Sequence, residues 1–302
     1  MTVRSAAYML AVVTICLRCL GSSAVAEAPS EPNIVTTPTN EAEYTKPIPL
    51  TFSIDYTVAT DYVWRGQNLS EYATEGREKL NHQLGLGLSY DTGKFGTFSG
   101  SVWFEWFAGQ ESLDPTSGSN HQETDYTLSW SVNIDAIATT VEFGWIAYQF
   151  PQAVGDANLT HEWYVSLYFD DSGLFGTEQS VLNPYVAYYM DVDDIQGSWI
   201  EFGISHDFAL ADCNMQNTPI LKDITLTPSL IIGIDHGQIS TSTKLANMQY
   251  GLDVAYDLSS ALGIPENLGE LTLTGFLRYS DALYEEALND EFWGGGTIGY
   301  SW

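Results

Sequence analysis

Basic residues are scarce in this chain. Ten Lys and Arg stand against 39 Asp and Glu among 302 residues, which gives a formal net charge of −29 at pH 7. Nucleic-acid binding by phosphate neutralisation needs clustered Lys and Arg, so no nucleic-acid partner is expected. High net charge often accompanies disorder, but 44% of the residues are apolar, and this share predicts a folded protein.

Long apolar runs are also lacking. The most apolar segment, residues 6–17, has about 12 residues, fewer than the roughly 20 that a membrane-spanning helix needs. Arg4 precedes this segment, and a small-x-small tripeptide (Ala-Val-Ala) follows it at residues 24–26. A basic start, a short apolar core and a small-residue cleavage site together predict a signal peptide over residues 1–26, and hence export.

Residues 27–49 form a separate block of different composition. Thr, Asn and Glu dominate it together with five prolines, at positions 29, 32, 38, 47 and 49. Such a segment can bury little apolar surface. We predict a Pro-rich acidic linker without a core of its own, ahead of a folded region that covers residues 50–302.

The folded region begins with a strict alternation of apolar and polar residues. From Leu50 to Trp64 one parity is apolar apart from Thr60, and the other parity is mostly small or polar. Alternation with period two predicts a strand with one apolar face. Fifteen residues are more than a globular strand usually needs, and this length suits a tilted strand across a membrane.

The same alternation recurs down the chain. Further strands are predicted within residues 83–90, 97–106, 126–134, 140–145, 162–169, 181–190, 199–205, 224–235, 250–257, 271–279 and 297–302. With the first strand this makes twelve, an even number, as expected for an all-β, antiparallel transmembrane β-barrel. Two long connections, 209–222 and 259–268, leave the count open by about one hairpin.

The connections alternate in character. Those at 65–79, 109–121, 151–158, 191–197, 235–246 and 280–290 are rich in turn-forming and charged residues, whereas those at 91–93 and 135–136 are tight. Bacterial barrels have short periplasmic turns and longer outer loops. We therefore expect the first group to face the cell exterior.

A soluble exported barrel or sandwich is the alternative, because it shows the same alternation. Two features favour the membrane barrel. The polar-face residues are mostly Ser, Thr, Gly and Ala, which are too small to cover an exterior well. Aromatic rings also cluster near strand ends, where lipid interfaces favour them: Tyr62, Trp64, Trp106 and Tyr279 at the predicted outer side, and Tyr90, Tyr256 and Trp302 at the inner side.

The last strand carries an expected assembly signal. Ile298, Tyr300 and Trp302 share one face of it, and the chain ends on the last of these aromatic residues. Outer-membrane barrels often end in this way, because the final strand closes the barrel and its aromatic residue is recognised during insertion. We expect the barrel assembly machinery and outer-membrane lipids to be partners.

The polar parity of the strands provides the candidates for lining a pore. They are Asp55, Asp61, Arg65, Glu105, Glu142, Glu162, Glu201, Asp253, Asp257 and Arg278. Because most are acidic, a pore lined by them should prefer cations. Asp61 and Arg65 are the best candidates for a constriction. As neighbours four apart on one strand they would lie about 13 Å from each other, so each is expected to pair across strands.

Catalysis is not expected. Enzymatic outer-membrane barrels carry His-x-Ser on one strand face, but Ser does not occur two positions after any of the five histidines, which are His82, His121, His161, His206 and His236. Zinc-ligand spacing is lacking, and the acidic segment 191–194 fits a surface turn better than a calcium site. We predict no enzyme activity, metal or cofactor.

One local motif resembles a known family. Residues 57–66, Thr-Val-Ala-Thr-Asp-Tyr-Val-Trp-Arg-Gly, are similar to the S/T-D-Y-x-W/F-R-G opening of the TorF-like porin family. The segment 250–256 and the aromatic end fit the layout of that family across residues 50–302. The resemblance implies an outer-membrane barrel that serves as a channel, with no established substrate.

The sequence therefore predicts a passive outer-membrane channel for small solutes or ions, with a preference for cations. The alternative is a non-conducting structural or adhesion barrel that displays acidic loops. The interior of an eight-stranded barrel is filled by its own side chains, and that of a sixteen-stranded barrel is a water channel. A twelve-stranded barrel has an interior of intermediate width. The inward parity also contains Trp103, Tyr164, Tyr168 and Trp199. The sequence is therefore compatible both with a narrow pore and with a plugged lumen.

Overall fold

The computed structural model describes residues 48–70, 80–107, 121–151, 158–215, 218 and 220–302. The predicted signal peptide and almost all of the predicted linker lie outside these residues, as do most of the predicted loops 109–121 and 151–158. Twelve long strands run through the described part: β1 (Leu50–Ala59), β2 (Asn81–Asp91), β3 (Thr97–Phe107), β4 (His121–Ile134), β5 (Thr139–Gln149), β6 (Leu159–Phe169), β7 (Tyr185–Asp191), β8 (Ser198–Ser205), β9 (Ile224–His236), β10 (Thr243–Asp257), β11 (Glu270–Ala282) and β12 (Glu291–Ser301).

The strands form a closed antiparallel barrel. Each one pairs with its neighbours in sequence, and β1 closes the sheet on β12 from Ser53 opposite Ser301 to Ala59 opposite Gly295. Phe52 and Trp302 complete the seam, since their backbone N–H and C=O groups bond each other at 2.8 and 2.9 Å. The prediction of a twelve-stranded antiparallel barrel is confirmed. We call the end that holds Leu50 and Ser301 the proximal end, and the opposite end the distal end.

Short elements fill the proximal connections. They comprise single helical turns at Gly93–Phe95, Asp135–Ile137, Leu221–Asp223 and Glu266–Leu268, a π turn at Ala211–Met215, and short α-helices at Ser172–Phe175 and Leu258–Leu262. The two-residue strand Phe208–Ala209 extends the pairing along β9. Within the described residues, no helix is long and apolar enough to cross a bilayer.

The outer face of the barrel is an apolar belt. Residues paired across strands share a face, so Tyr56 lies beside Leu84 on one side and Ile298 on the other. Large apolar side chains of this face stay exposed, among them Phe52, Leu88, Phe98, Leu128, Phe143, Phe202, Leu277 and Ile298. A monomeric soluble protein rarely exposes so large an apolar surface, whereas lipid accommodates it. The fold is that of a transmembrane barrel.

The first strand is shorter than predicted. It ends at Ala59, and the chain then folds into the barrel as a hairpin, in which Val63–Trp64 pairs with Gln67–Asn68. We call residues 61–70 the inner hairpin. Its turn consists of Arg65 and Gly66, with φ angles of 51° and 79°, as two-residue hairpin turns of this hand require. Parity does not reveal this turn, because Tyr62 and Trp64 continue the apolar alternation of β1.

Two expectations about this segment are therefore wrong. Tyr62 and Trp64 do not belong to an outer aromatic girdle, because their rings lie 5.4 Å from Trp103 and 6.3 Å from Tyr148, which are on the inner face. Residues 65–70 are not an exterior loop, and residues 71–79 lie outside the described part. Trp106, by contrast, lies on the outer face, 6.4 Å from the ring of Tyr56.

The apolar core lies inside the distal half of the barrel. Trp199 is its largest member, with 1% of its surface exposed, and it packs with Ala246, Ala282 and Leu288. Its indole lies across Gly233 on the neighbouring strand. A Cβ at Gly233 would lie 2.2 Å from Trp199 Cζ2 and 2.4 Å from Asn247 Oδ1. The absence of a side chain at this position is what allows the indole to lie there.

We expect Gly233→Ala to destabilise the barrel by about 1–3 kcal/mol, because a buried indole has no space to move away from the new methyl group. The measurement is the midpoint of urea unfolding in detergent, monitored as the loss of the heat-modifiable folded band. Gly275→Ala is the matched control, since nothing lies within 4 Å of a Cβ there. Equal midpoints for the two variants would contradict the packing argument.

Candidate functional site

The inner face of the wall is acidic. The register connects it from strand to strand: Asp55 lies opposite Gly85, Gly85 opposite Trp103, Trp103 opposite Asp125 and Asp125 opposite Tyr148. Because paired residues share a face, the polar parity of the strands points into the lumen. Lumenal carboxylates occur in both the proximal and the distal half of the barrel, and their surroundings differ between the two halves.

In the proximal half the lumenal charges remain accessible. Arg278 Nη2 donates to both carboxylate oxygens of Asp253, at 2.8 and 2.9 Å, and these side chains are 21% and 27% exposed. Asp55 is exposed, with glycines on both neighbouring strands. We call this accessible half of the lumen the proximal vestibule.

Two tyrosines on the inner wall hold carboxylates, the first carboxylate in the vestibule and the second where the vestibule meets the distal core, opposite Gly233. The Tyr164 hydroxyl donates to Glu142 at 2.5 Å, and the Tyr185 hydroxyl donates to Glu201 at 3.5 Å. Asp257 lies at the proximal rim instead, where its side chain accepts from the backbone N–H of Ser260 at 2.9 Å and caps a short helix. A capping role is sufficient to explain that acid.

In the distal half the inner hairpin reaches across the lumen to a buried ion pair. Arg65 Nη1 and Nη2 donate to Glu162 Oε1 and Oε2 at 2.8 and 2.9 Å, in a bidentate pairing. Glu162 is on β6, five strand positions from β1 and so nearly opposite the start of the hairpin. The two side chains are 5% and 1% exposed. Both charged groups are therefore shielded from solvent inside the barrel.

Three rings surround the guanidinium. Its central carbon lies 4.3 Å from the ring centre of Trp64, 4.8 Å from Tyr189 and 5.5 Å from Trp199, all within the range of cation–π attraction. Arg65 Nη1 also donates to the side-chain oxygen of Gln238. Burial by itself lowers the pKa of Arg65, but the hydrogen bonds and charge of Glu162 outweigh it and the pKa is raised. The guanidinium stays charged.

Hydrogen bonds also hold the base of the inner hairpin. Asn68 Nδ2 donates to Asp61 at 3.2 Å and to Glu291 at 3.1 Å, and the backbone N–H of Tyr62 donates to Ser70 at 2.6 Å. Asp61 and Arg65 therefore lie on the hairpin and not on one face of a barrel strand, as the sequence had suggested. Asp61 pairs with Asn68 and Arg65 with Glu162, and not with each other, as expected.

An acidic cluster lies beside the hairpin. Glu105 is directly opposite Glu123, and Asp125 follows on the same face. Asn81 donates to Glu105, but Glu105 Oε2 and Asp125 Oδ1 accept no hydrogen bond from the described residues. Burial, followed by the charges of Glu123 and Asp125, raises the pKa of Tyr62 well above its usual value. Within the described chain, no group of three His, Cys, Asp or Glu is arranged to hold a metal ion.

Several residues of this region were not among those predicted from the sequence. Glu123 and Asp125 have the same parity as the polar face of the predicted fourth strand, and extending that strand toward its start would have found them. Tyr148 continues the inward parity of the predicted strand 140–145 in the same way, whereas Tyr189 lies within the predicted strand 181–190, for which no inward parity was assigned. Gln238 lies in a connection, where parity gives no signal.

The predicted assembly residues lie on the outer face of β12. Ile298 is exposed, the Tyr300 hydroxyl donates to the carbonyl of Leu268 at 2.7 Å, and Trp302 Nε1 donates to the carbonyl of Asn267 at 3.1 Å. These aromatic residues join the last strand to the proximal turn before β11.

Comparisons with known proteins give similarity of fold alone. No family model matches the chain, and no curated protein matches it. The chain is similar to the KdgM porin in complex with disordered oligogalacturonate, at 13% identity and a TM-score of 0.43, covering 83% of this chain and 98% of that one. It is similar to the NanC porin at 12% identity and a TM-score of 0.45, covering 82% and 98%. It is also similar to an outer membrane channel from Pseudomonas putida F1, at 8% identity and a TM-score of 0.47, covering 88% and 100%. Similarities this low carry no argument about function.

We expect Glu162→Gln to destabilise the protein by about 3–5 kcal/mol, because the variant leaves a buried guanidinium without its counter-charge. Asp253→Asn removes a carboxylate from the partly exposed pair in the vestibule and should cost about 1 kcal/mol or less. Urea unfolding midpoints of the two folded variants in the same detergent give the comparison. Similar losses would show that the distal pair is no more important than the exposed one.

Proposed function

We propose that this protein is an outer-membrane channel for small solutes or ions that prefers cations. The observation that carries the proposal is the charge of the lumen. Its described wall presents the carboxylates of Asp55, Glu105, Glu123, Asp125, Glu142, Glu162, Glu201 and Asp253. The basic groups against them are Arg278 on the wall, Arg65 on the inner hairpin, and Lys244, opposite Asp235 near the distal end. Carboxylates in a narrow pore lower the barrier for cations and raise it for anions. The proposal involves no catalytic step and no cofactor.

The outer-membrane location is supported by three features. The barrel is closed, its outer face is apolar, and a signal peptide is predicted at residues 1–26. We place the proximal end toward the periplasm and the distal end toward the cell exterior. Ile298, Tyr300 and Trp302 would then form the signal that the barrel assembly machinery recognises.

Membership of the TorF-like porin family belongs to the same proposal. Of the motif that carries the resemblance, residues 61–66 form the first arm and the turn of the inner hairpin, including the paired strand Val63–Trp64. In this chain the motif therefore provides the basic tip that contacts Glu162. A motif that places its arginine inside the lumen of this chain supports the functional proposal.

The inner hairpin also supports a second candidate, a non-conducting structural or adhesion barrel. It crosses the distal half of the lumen, where Trp199, Glu105 and Glu162 are each 1% exposed. We infer that a hairpin in this position obstructs passage, so that a solute passes only when the hairpin moves. On the channel proposal the hairpin is a gate, and on the structural proposal it is a permanent plug.

Single-channel recording in planar bilayers distinguishes the two candidates. We expect the wild type to show infrequent conductance steps, and a variant in which residues 62–68 are replaced by a short Gly-Ser linker to show larger and more frequent ones. The heat-modifiable band of each protein serves as the control for folding. If the shortened variant folds and neither protein conducts above background, the channel proposal fails and the structural one remains.

Reversal potentials under a salt gradient test the cation preference. We expect cations to be preferred at low ionic strength and the preference to weaken as salt rises, because the Debye length falls from about 10 Å at 0.1 M to about 3 Å at 1 M. Glu142→Gln combined with Asp55→Asn should reduce the preference, and Lys94→Gln, at an exposed proximal turn, should leave it unchanged. Anion preference at low salt would refute the assignment.

A further inference from the structure

The surroundings of Arg65 form a binding site that the barrel wall provides almost alone. Glu162 is on β6, Tyr189 on β7, Trp199 on β8, and Gln238 lies just after β9. We call these four residues the wall pocket. Only Trp64, the third ring, belongs to the inner hairpin. Proteins recognise a guanidinium by pairing its planar N–H groups with both oxygens of a carboxylate and by placing aromatic rings against its faces.

The carboxylate of the wall pocket is held without help from Arg65. The Tyr148 hydroxyl donates to Glu162 Oε2 at 2.8 Å, and Gln238 Nε2 donates to Glu162 Oε1 at 2.8 Å. Both donors belong to the wall, so Glu162 would keep its orientation if the guanidinium left. Preorganisation of this kind is a property of ligand sites, since it reduces the conformational entropy that the site loses when it binds a ligand.

The remaining members are fixed in the same way. Buried Asp235 accepts from the backbone N–H groups of Gln238, Ile239 and Ser240 at 2.9, 3.0 and 2.8 Å, which sets the turn that presents Gln238. Trp199 Nε1 donates to Glu201 at 3.1 Å while its indole lies against Gly233. The wall pocket is thus built by its own supporting contacts.

The occupant, by contrast, adopts an unfavourable backbone conformation. Arg65 has φ of 51°, a left-handed value that Gly, Asn and Asp adopt more readily than Arg. A turn residue chosen for backbone geometry alone would be one of those three. The side chain is therefore there for what it contacts, and the turn gives up some stability to place it.

We propose that the wall pocket is a binding site for small molecules that carry a guanidinium group, and that Arg65 is an internal occupant which such a ligand displaces. Glu142 in the vestibule, and Glu201, which accepts a hydrogen bond from the Trp199 indole, add negative charge near the pocket and favour the approach of a cation. Displacement would release the tip of the inner hairpin. This last consequence rests on the proposed channel function, whereas binding to the pocket does not.

Chemical rescue of an emptied pocket tests the binding. Arg65→Ala removes the internal guanidinium and should lower the midpoint of thermal unfolding in detergent, followed by the heat-modifiable band. Methylguanidinium should then raise that midpoint, with a shift that grows as the logarithm of its concentration, as mass action requires. Methylurea is planar but neutral and methylammonium is charged but not planar, and at equal concentration and ionic strength both should give smaller shifts.

The controls use the same chain. Arg65→Ala combined with Glu162→Gln should lose the rescue, because the bidentate carboxylate is gone. Wild type should respond weakly, since tethered Arg65 is present at high effective concentration. If Arg65→Ala does not give a folded band, Arg65→Met keeps an apolar stem without the charge and is used in the same assay.

The outcomes separate this inference from the channel proposal. Rescue by methylguanidinium alone supports the pocket whether or not the protein conducts. Equal rescue by methylammonium would overturn the guanidinium assignment in favour of a general cation site. No rescue, or equal rescue by methylurea, would overturn the pocket and reduce Arg65 to a structural contact, while the conductance experiment would stand unaffected.

Discussion

Backbone pairing between the first and last strands is the constraint on which the rest of the structure depends. In lipid each unpaired N–H or C=O costs several kcal/mol, so a sheet can cross a membrane only if it closes. Here β1 closes on β12, and Phe52 and Trp302 continue the seam by one further pair of bonds. Closure fixes the parity of every strand at once. One parity must face lipid and is apolar, so the other holds almost all of the polar side chains, and these are concentrated in a small lumen.

That concentration explains the character of the distal half. Carboxylates on the inner face of adjacent strands repel one another unless cations, hydrogen bonds or shared protons compensate them. The chain has few basic residues, and it uses one of them, Arg65, at the tip of a hairpin that folds into this half. The single guanidinium bonds to Glu162 and contacts three rings. An acidic wall and a basic tip are thus two parts of one electrostatic arrangement.

Much of this structure could be predicted from the sequence, for a reason specific to membrane barrels. Lipid contact makes the period-two pattern strict, so strands such as β5 and β10 were evident, and their inward acids Glu142, Asp253 and Asp257 could be named. The pattern failed where the lipid constraint ends. Tyr62 and Trp64 continue the apolar parity of β1, but they are apolar because they pack inside the lumen, against Trp103 and Tyr148. Parity alone does not distinguish a ring that faces lipid from one that faces a packed interior. Gln238 could not be predicted, because it lies in a connection, where apolar and polar residues do not alternate regularly.

The inner hairpin also has a consequence for the order of folding. It follows β1 directly, yet its tip bonds to Glu162, 97 residues later, and to Gln238, 173 residues later. Contacts of such high sequence separation form late, because the intervening chain must first be ordered. The Arg65 tip of the hairpin therefore has no partner until β6 to β9 are in place, although the hairpin directly follows the first strand. We expect the tip to dock as one of the last steps of barrel assembly.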